Sequence, residues 1–413
     1  LQQIQTNNMT KHLTSIQIAA TYIGTIIGAG FASGQEILQF FGYLGVRGLL
    51  AVGITSLLFM GFGFAILHIG HRLQATSHLQ VIRFSGGNWI GTVVDSVITF
   101  FLFGALTVMA AGAGALFAQE FGLPAIVGGL IMMLATLVTV LRGIRGIVSA
   151  MSYLAPFLLL SVLGLGLTTV AINWGKLAEN IGWSMTEAAP VPNWIISAIN
   201  YTSYNLVVGV AVLAPMGGIA NQKAISGGAI LGGLGLGLGA LTITLSILAN
   251  VPEAIRYPIP MLFVAQLLSP ALGYGYGIVL LLSIFTTAVS SLYGFASRLT
   301  DPGGPHFRRL VIAASAVAFL GSQVGFTTLV GTLFPAVGYA GLLLLGSLVF
   351  GMFKLNYRSG LAESQPEPVL PASLKPLLDS DPSDKNISTV LAGETPGHKN
   401  LSTFTAGDKS PED

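Results

Sequence analysis

Cysteine is absent from the 413 residues of this chain. That excludes disulfides, thiolate metal sites and cysteine catalysis, and it says nothing of compartment. Charge is scarce too. Asp, Glu, Lys and Arg make up 8% of the residues, against about 25% in a soluble domain. With 53% hydrophobic residues, the chain reads as an integral membrane protein. The net charge is +2, and no basic stripe with interleaved aromatics appears, so no nucleic-acid partner is expected. Nucleophile–base pairs, zinc-ligand helices and P-loops are also missing, which argues against an enzyme and against an ATP-driven pump. No cleavable signal is visible, because the apolar stretch that begins near His12–Thr14 is too long for a signal core. Leu1 is an unusual first residue, and either Met9 or an alternative start codon is read as the start.

Apolar runs long enough to cross a bilayer are abundant. Ten are expected, at 14–44, 46–69, 90–118, 124–140, 147–172, 192–217, 224–249, 273–298, 310–326 and 328–352. After Phe353 the composition shifts abruptly to Pro, Ser, Asp, Glu and Lys with few aromatics, which is the composition of a disordered segment. The expected organisation is a cytoplasmic N-terminus at 1–13, a ten-helix transmembrane domain at 14–353 and a disordered cytoplasmic tail at 354–413. Sequons at Asn386 and Asn400 carry no weight in such a tail.

Lys and Arg set the expected orientation. With the N-terminus inside, eleven of them fall at inner loops and span ends, and only Arg47, Lys176 and Arg256 fall outside. Both termini are then cytoplasmic. Trp89, Trp174, Trp183 and Trp194 fall at span ends or in an outer loop, where amphipathic rings settle.

The first span carries Gly28-Ala29-Gly30-Phe31-Ala32-Ser33-Gly34-Gln35-Glu36 at its middle. Each Gly weakens a helix interior by about 1 kcal/mol relative to Ala. An acid at the bilayer centre costs roughly 2.5–3.5 kcal/mol on insertion scales. Unwound backbone is tolerated at that depth only beside a polar cavity, so a broken helix facing a binding site is expected, as in secondary transporters. In that reading the inner half-helix leaves carbonyls near Gly28 for a cation, and the outer half begins near Ser33 or Gly34 with its N–H groups facing the midplane. The competing reading is close helix packing through the small-residue pairs Gly28/Ala32 and Gly30/Gly34. Glu36 has three open roles: proton carrier, counter-ion for a substrate amine, or gate residue. A fourth, plainer role is capping of free backbone N–H groups. Gln35 and Gln39 could line the same path.

Span six has the second polar, Gly-interrupted middle, Tyr201 to Gly209, followed by Pro215 and Gly217-Gly218. Spans four and nine are both short, about 17 residues. One therefore pairs with six and four with nine, and five spans per half gives halves of opposite topology. Ser203, Tyr204 and Asn205 are expected to line the site, against the alternative of ordinary inter-helix hydrogen bonding. In span eight, Thr287, Ser290 and Ser291 share one helix face. Hydroxyls of this kind suit a hard monovalent cation such as Na⁺, unless they only bond back to their own helix. No transition-metal site is expected. His68, His71 and His78 are read as a solvated boundary, Asp95 as a helix-start acid or a proton exit group, and the Gly227–Gly239 run as a packing seam.

Residues 21–41, from Thr21-Tyr22-Ile23-Gly24 through Gly28-Ala29-Gly30-Phe31-Ala32-Ser33-Gly34-Gln35-Glu36 to Phe40-Phe41, closely resemble the first helix of the YkvI-like bacterial membrane proteins. Tyr201-Thr202-Ser203-Tyr204-Asn205-Leu206 resembles their sixth span. The resemblance covers about residues 12–355. Those proteins are similar to the amino acid–polyamine–organocation (APC) transporter superfamily. The resemblance implies an all-α leucine-transporter fold: a five-plus-five inverted repeat with broken helices 1 and 6. It also implies a sodium site formed by Gly28 or Ala29 backbone, Thr287 backbone and the Ser290 and Ser291 hydroxyls. Substrate contacts are expected from Gly28, Gly30, Ser33, Gly34, Glu36, Ser203, Tyr204 and Asn205. The function expected is cation-coupled transport of a small amino acid or organic amine across the inner (plasma) membrane. Na⁺ or H⁺ is the coupling ion, and no other cofactor is needed. A non-transporting sensor that uses the tail to recruit a partner is the alternative.

Overall fold

A computed structural model describes residues 13–142, 145–302 and 304–363. Contacts group residues 1–357 into one unit and 358–413 into another. The described residues are all-α apart from one isolated parallel bridge between Leu13 and Ala220.

The first apolar segment is three short helices: α1 (Ser15–Ile26), α2 (Ala29–Ser33) and α3 (Gln35–Phe40). There follow α4 (Val46–Leu73), α5 (His78–Phe121), α6 (Ala125–Arg142), α7 (Arg145–Ile172) and α8 (Trp174–Asn180). The chain continues through α9 (Trp194–Ile219), α10 (Gln222–Leu248), α11 (Pro260–Leu268) and α12 (Pro270–Leu299), and closes with α13 (Pro305–Ser322) and α14 (Phe326–Glu363).

Every one of the ten expected segments carries helix. By length and apolarity, however, seven helices qualify as spans among the described residues, or eight if the pair of α7 and α8, bent by 83°, counts as one. Two segments fall short for physical reasons. The first is broken into pieces, and α13 carries His306, Arg308 and Arg309 in its opening turns. The expected disorder from residue 354 is also revised, because α14 continues helical to Glu363. The expected N-terminal segment 1–12 and the rest of the tail lie outside the described residues.

Glycine lets helices approach to backbone contact. A Cβ on Gly70 of α4 would lie 2.3 Å from the Ala214 carbonyl oxygen, and one on Gly217 of α9 would lie 2.2 Å from that of Leu67. The two helices therefore meet backbone to backbone. In α10, Gly228 and Gly232 face Ile18 and Tyr22 of α1, whereas Gly233 and Gly237 face Met60 and Ser56 of α4. The glycine run thus serves two packing seams at once. The Tyr22 hydroxyl donates to the Phe59 carbonyl at 2.9 Å, adding a polar tie between α1 and α4.

The expected break in span six is not there: α9 is continuous from Trp194 to Ile219. Four of its polar residues find carbonyl acceptors without unwinding. Thr202 and Asn205 bond back to the carbonyls of Ala198 (2.8 Å) and Tyr201 (3.0 Å). Asn200 and Ser203 donate to the carbonyls of Pro335 (3.0 Å) and Gly338 (2.8 Å) on α14.

Candidate functional site

The backbone leaves helical geometry twice in the first segment. Ile27 (ψ 97°) caps α1 and Gly28 is extended (φ −115°, ψ −169°), and Gly34 sits in the left-handed region at φ 79°. Glycine adopts that conformation without strain. A Cβ at Gly34 would also lie 2.7 Å from the Met261 side chain. The Ser33 hydroxyl donates to the Gly30 carbonyl (2.7 Å) and accepts from the Gln35 N–H (3.1 Å), bridging the second break. Tyr276 of α12 donates to the Ala32 carbonyl at 2.5 Å and holds α2 in place.

A cavity of about 400 Å³ opens at the first break. Gly28, Ala29, Gly30 and Glu36 line it from the broken segment, Tyr204 and Asn205 from α9, and Thr287, Ser290 and Ser291 from α12. Its volume lies within the range of small-molecule sites.

Glu36 lies in the first turn of α3. Its Oε1 accepts a hydrogen bond from the Tyr204 hydroxyl. A Cβ on Gly30 would come within 2.5 Å of Oε2, so the absence of a side chain there makes room for the carboxylate. Both ion pairs found among the described residues belong to Asp95, and Glu36 has none.

Three of the expected site residues lie apart from the cavity. Ser33 is committed to its own backbone, and Gly34 faces Met261. Ser203 points into the α9–α14 contact. At the expected cation site, Gly28 faces Thr287: a Cβ there would be 3.9 Å from Oγ1. The Ser290 hydroxyl donates to the carbonyls of Thr286 (2.9 Å) and Thr287 (3.1 Å), which leaves its oxygen lone pairs available to a ligand. The α12 helix is not broken there.

Sequence reasoning missed the aromatic wall. Phe101 of α5 and Phe334 of α14 line the cavity with Tyr204. Tyr204 stacks on Phe334 with ring centroids 5.1 Å apart, and Phe101 lies 5.7 Å from Phe334 and 6.2 Å from Tyr204. Nothing in the sequence separates these two phenylalanines from the other 21.

Asp95 is not a helix-start acid, since α5 begins at His78 and kinks at Gly87 (φ 81°). Its carboxylate accepts from Arg298 of α12 at 2.6 Å and pairs with His78 at 3.1 Å, so one acid ties three positions together. His68 pairs with Gln222 at 3.1 Å. No group of three metal-binding side chains occurs among the described residues.

No family model matches the chain. Two curated proteins of Bacillus subtilis (strain 168) do. The uncharacterized membrane protein YkvI is 29% identical over 338 residues, covering 81% of this chain and 94% of its own length. The uncharacterized protein YyaD is 30% identical over 335 residues, covering 79% of this chain and 94% of its own length. The chain belongs to the YkvI–YyaD family.

Solved structures place that family's fold. The structure of MhsT in complex with L-phenylalanine matches with a TM-score of 0.56 at 18% identity, over 81% of this chain and 88% of that one. A mutant of the Eremococcus coleocola manganese transporter matches with a TM-score of 0.52 at 13% identity, over 86% and 88%. The chain therefore has an all-α, multi-pass membrane fold like that of MhsT and the manganese transporter.

Proposed function

We propose that this chain is a secondary transporter that works by alternating access in the inner membrane. Ten spans, arranged as a five-plus-five inverted repeat of the APC superfamily, would place both termini in the cytoplasm. A broken first segment and an intact α9 make the two halves unequal in detail.

The observation that carries this reading is the cavity at the first break. It gathers helix-end backbone, a carboxylate and hydroxyls into one space among apolar helices. Backbone of that kind is tolerated at membrane depth only beside protein or a cavity, and such breaks are where transporters of this fold hold their cargo and ions. A cation would be held between the Gly28–Ala29 backbone and the Thr287, Ser290 and Ser291 side of α12. Na⁺ and H⁺ are the two candidate coupling ions, and Glu36 is the first candidate carrier for H⁺. The cargo is a small amino acid or an organic amine. MhsT holds L-phenylalanine in its structure, which supports a small organic cargo.

Uptake into proteoliposomes tests the proposal. A mixture of labelled amino acids and amines is offered under an imposed Na⁺ gradient and, separately, an H⁺ gradient. Accumulation with Na⁺ that is lost when Ser290 and Ser291 become Ala is the expected sodium result. Accumulation only with H⁺, lost in Glu36→Gln, assigns the proton instead. Saturable binding with no accumulation under either gradient would overturn transport and favour a receptor.

A further inference from the structure

The charge inventory of the cavity goes further than its size. Glu36 is the one carboxylate among its lining residues, and no lysine, arginine or histidine lines it. Glu36 is 5% exposed, and the Tyr204 hydroxyl that donates to it is neutral. A buried carboxylate without a cationic partner is costly unless it takes up a proton or a positive charge arrives to pair with it. The α2 and α3 helices offer an incoming carboxylate no compensating side-chain charge, and a second acid beside Glu36 would repel it.

The wall next to Glu36 is aromatic. Phe101, Tyr204 and Phe334 form a continuous ring surface bordering the same space. Ring faces attract cations, most strongly when water is excluded, and they suit alkylated ammonium groups that hydrogen-bond poorly. A primary ammonium would want three acceptors. Beside the rings the space offers one carboxylate, and the hydroxyls that line it belong to Tyr204 and to Ser283, Thr286, Thr287, Ser290 and Ser291 of α12.

From these observations we infer that the cargo of this site is a monovalent, alkylated ammonium ion without a carboxylate of its own, held by Glu36 against the Phe101–Tyr204–Phe334 wall. This rests on the transporter reading for the word cargo, but the ligand class stands on the cavity itself. A zwitterionic amino acid brings a carboxylate for which no lysine, arginine or histidine lines the cavity. A diamine brings a second charge that has no second acid among the lining residues. Phe101 and Phe334 become specificity-determining residues.

Equilibrium binding to the full-length purified chain tests it, with choline as the alkylated monocation, leucine as the zwitterion and putrescine as the dication. Calorimetry on the wild type should show saturable choline binding, with leucine and putrescine at least about tenfold weaker. Phe334→Leu should weaken choline by roughly tenfold, the loss of one desolvated ring face. Glu36→Gln should abolish choline binding while the melting temperature shows the chain still folded. Leucine binding as tightly as choline overturns the inference, as does no choline binding at millimolar concentration, or unchanged choline binding in a folded Glu36→Gln chain. The same preparations in proteoliposomes separate the two readings. Choline bound but never accumulated defeats transport and leaves the ligand class standing. Leucine accumulated with no choline binding defeats the ligand class and leaves transport standing.

Discussion

The Tyr204 hydroxyl of α9 donates to the Glu36 carboxylate of α3, joining the short helix after the break to an unbroken helix across the cavity. The two residues are 168 positions apart in the chain. Removing the donor takes a hydrogen bond from a buried carboxylate oxygen. Tyr204→Phe keeps the ring and loses the bond. It is expected to lower stability by about 1–3 kcal/mol, read as a drop in denaturation midpoint in detergent. An unchanged midpoint would mean that the hydroxyl contributes nothing there.

Gly30 is held to glycine by Glu36 rather than by backbone conformation. In Gly30→Ala the new methyl would take the place of Oε2, so the carboxylate must swing away. Cargo binding is expected to fall at least about tenfold, on the scale at which misplaced groups lose function. Shortening the acid by one methylene in a Gly30→Ala/Glu36→Asp double variant should restore part of the loss. If the double variant binds worse than either single one, the crowding explanation is wrong.

Asp95 ties the start of α5 to the end of α12 through Arg298, with His78 on the same oxygen. The pair is partly open to solvent, so a modest coupling is expected. A double-mutant cycle with Asp95→Asn and Arg298→Gln should return about 0.5–1 kcal/mol in unfolding experiments. High salt should shrink it. A coupling near zero at low salt would make the contact incidental.

Gly338 admits α9 against α14. A Cβ there would fall 2.1 Å from the Asn200 Oδ1 and 2.7 Å from its carbonyl oxygen. Gly338→Ala should destabilise the chain by about 1–3 kcal/mol through overpacking. Asn200→Ala should relieve the side-chain part of that clash and leave the backbone part. The double variant should therefore recover some, but not all, of the melting temperature.

The fold was legible to the extent that it rests on length and apolarity. Each expected segment holds helix, and the first break was foreseeable from three glycines and an acid at bilayer depth. Span six looked like its partner because Tyr201 to Gly209 is polar. Polarity is ambiguous, however: hydroxyls and amides can stay helical by bonding to i−4 or neighbouring carbonyls, and Thr202, Asn205, Asn200 and Ser203 all do. Ser33 and Gly34 were right as a break and misplaced as cavity lining, because only coordinates reveal which way a turn faces. Phe101 and Phe334 come from helices remote in the chain, and no local pattern marks a phenylalanine that meets a cavity rather than lipid.

The crossing of α4 and α9 sets how freely this chain can diverge. At Gly70 and Gly217 carbonyl oxygens occupy the place of a side chain, so no rotamer change can absorb even a methyl group. A saturation-mutagenesis map should show these two positions among the least tolerant in the protein. Phe101 and Phe334, whose neighbours include empty space, should accept other large apolar residues. Descendants of this sequence can exchange one ligand for another by drifting at the cavity wall while the α4–α9 crossing stays fixed.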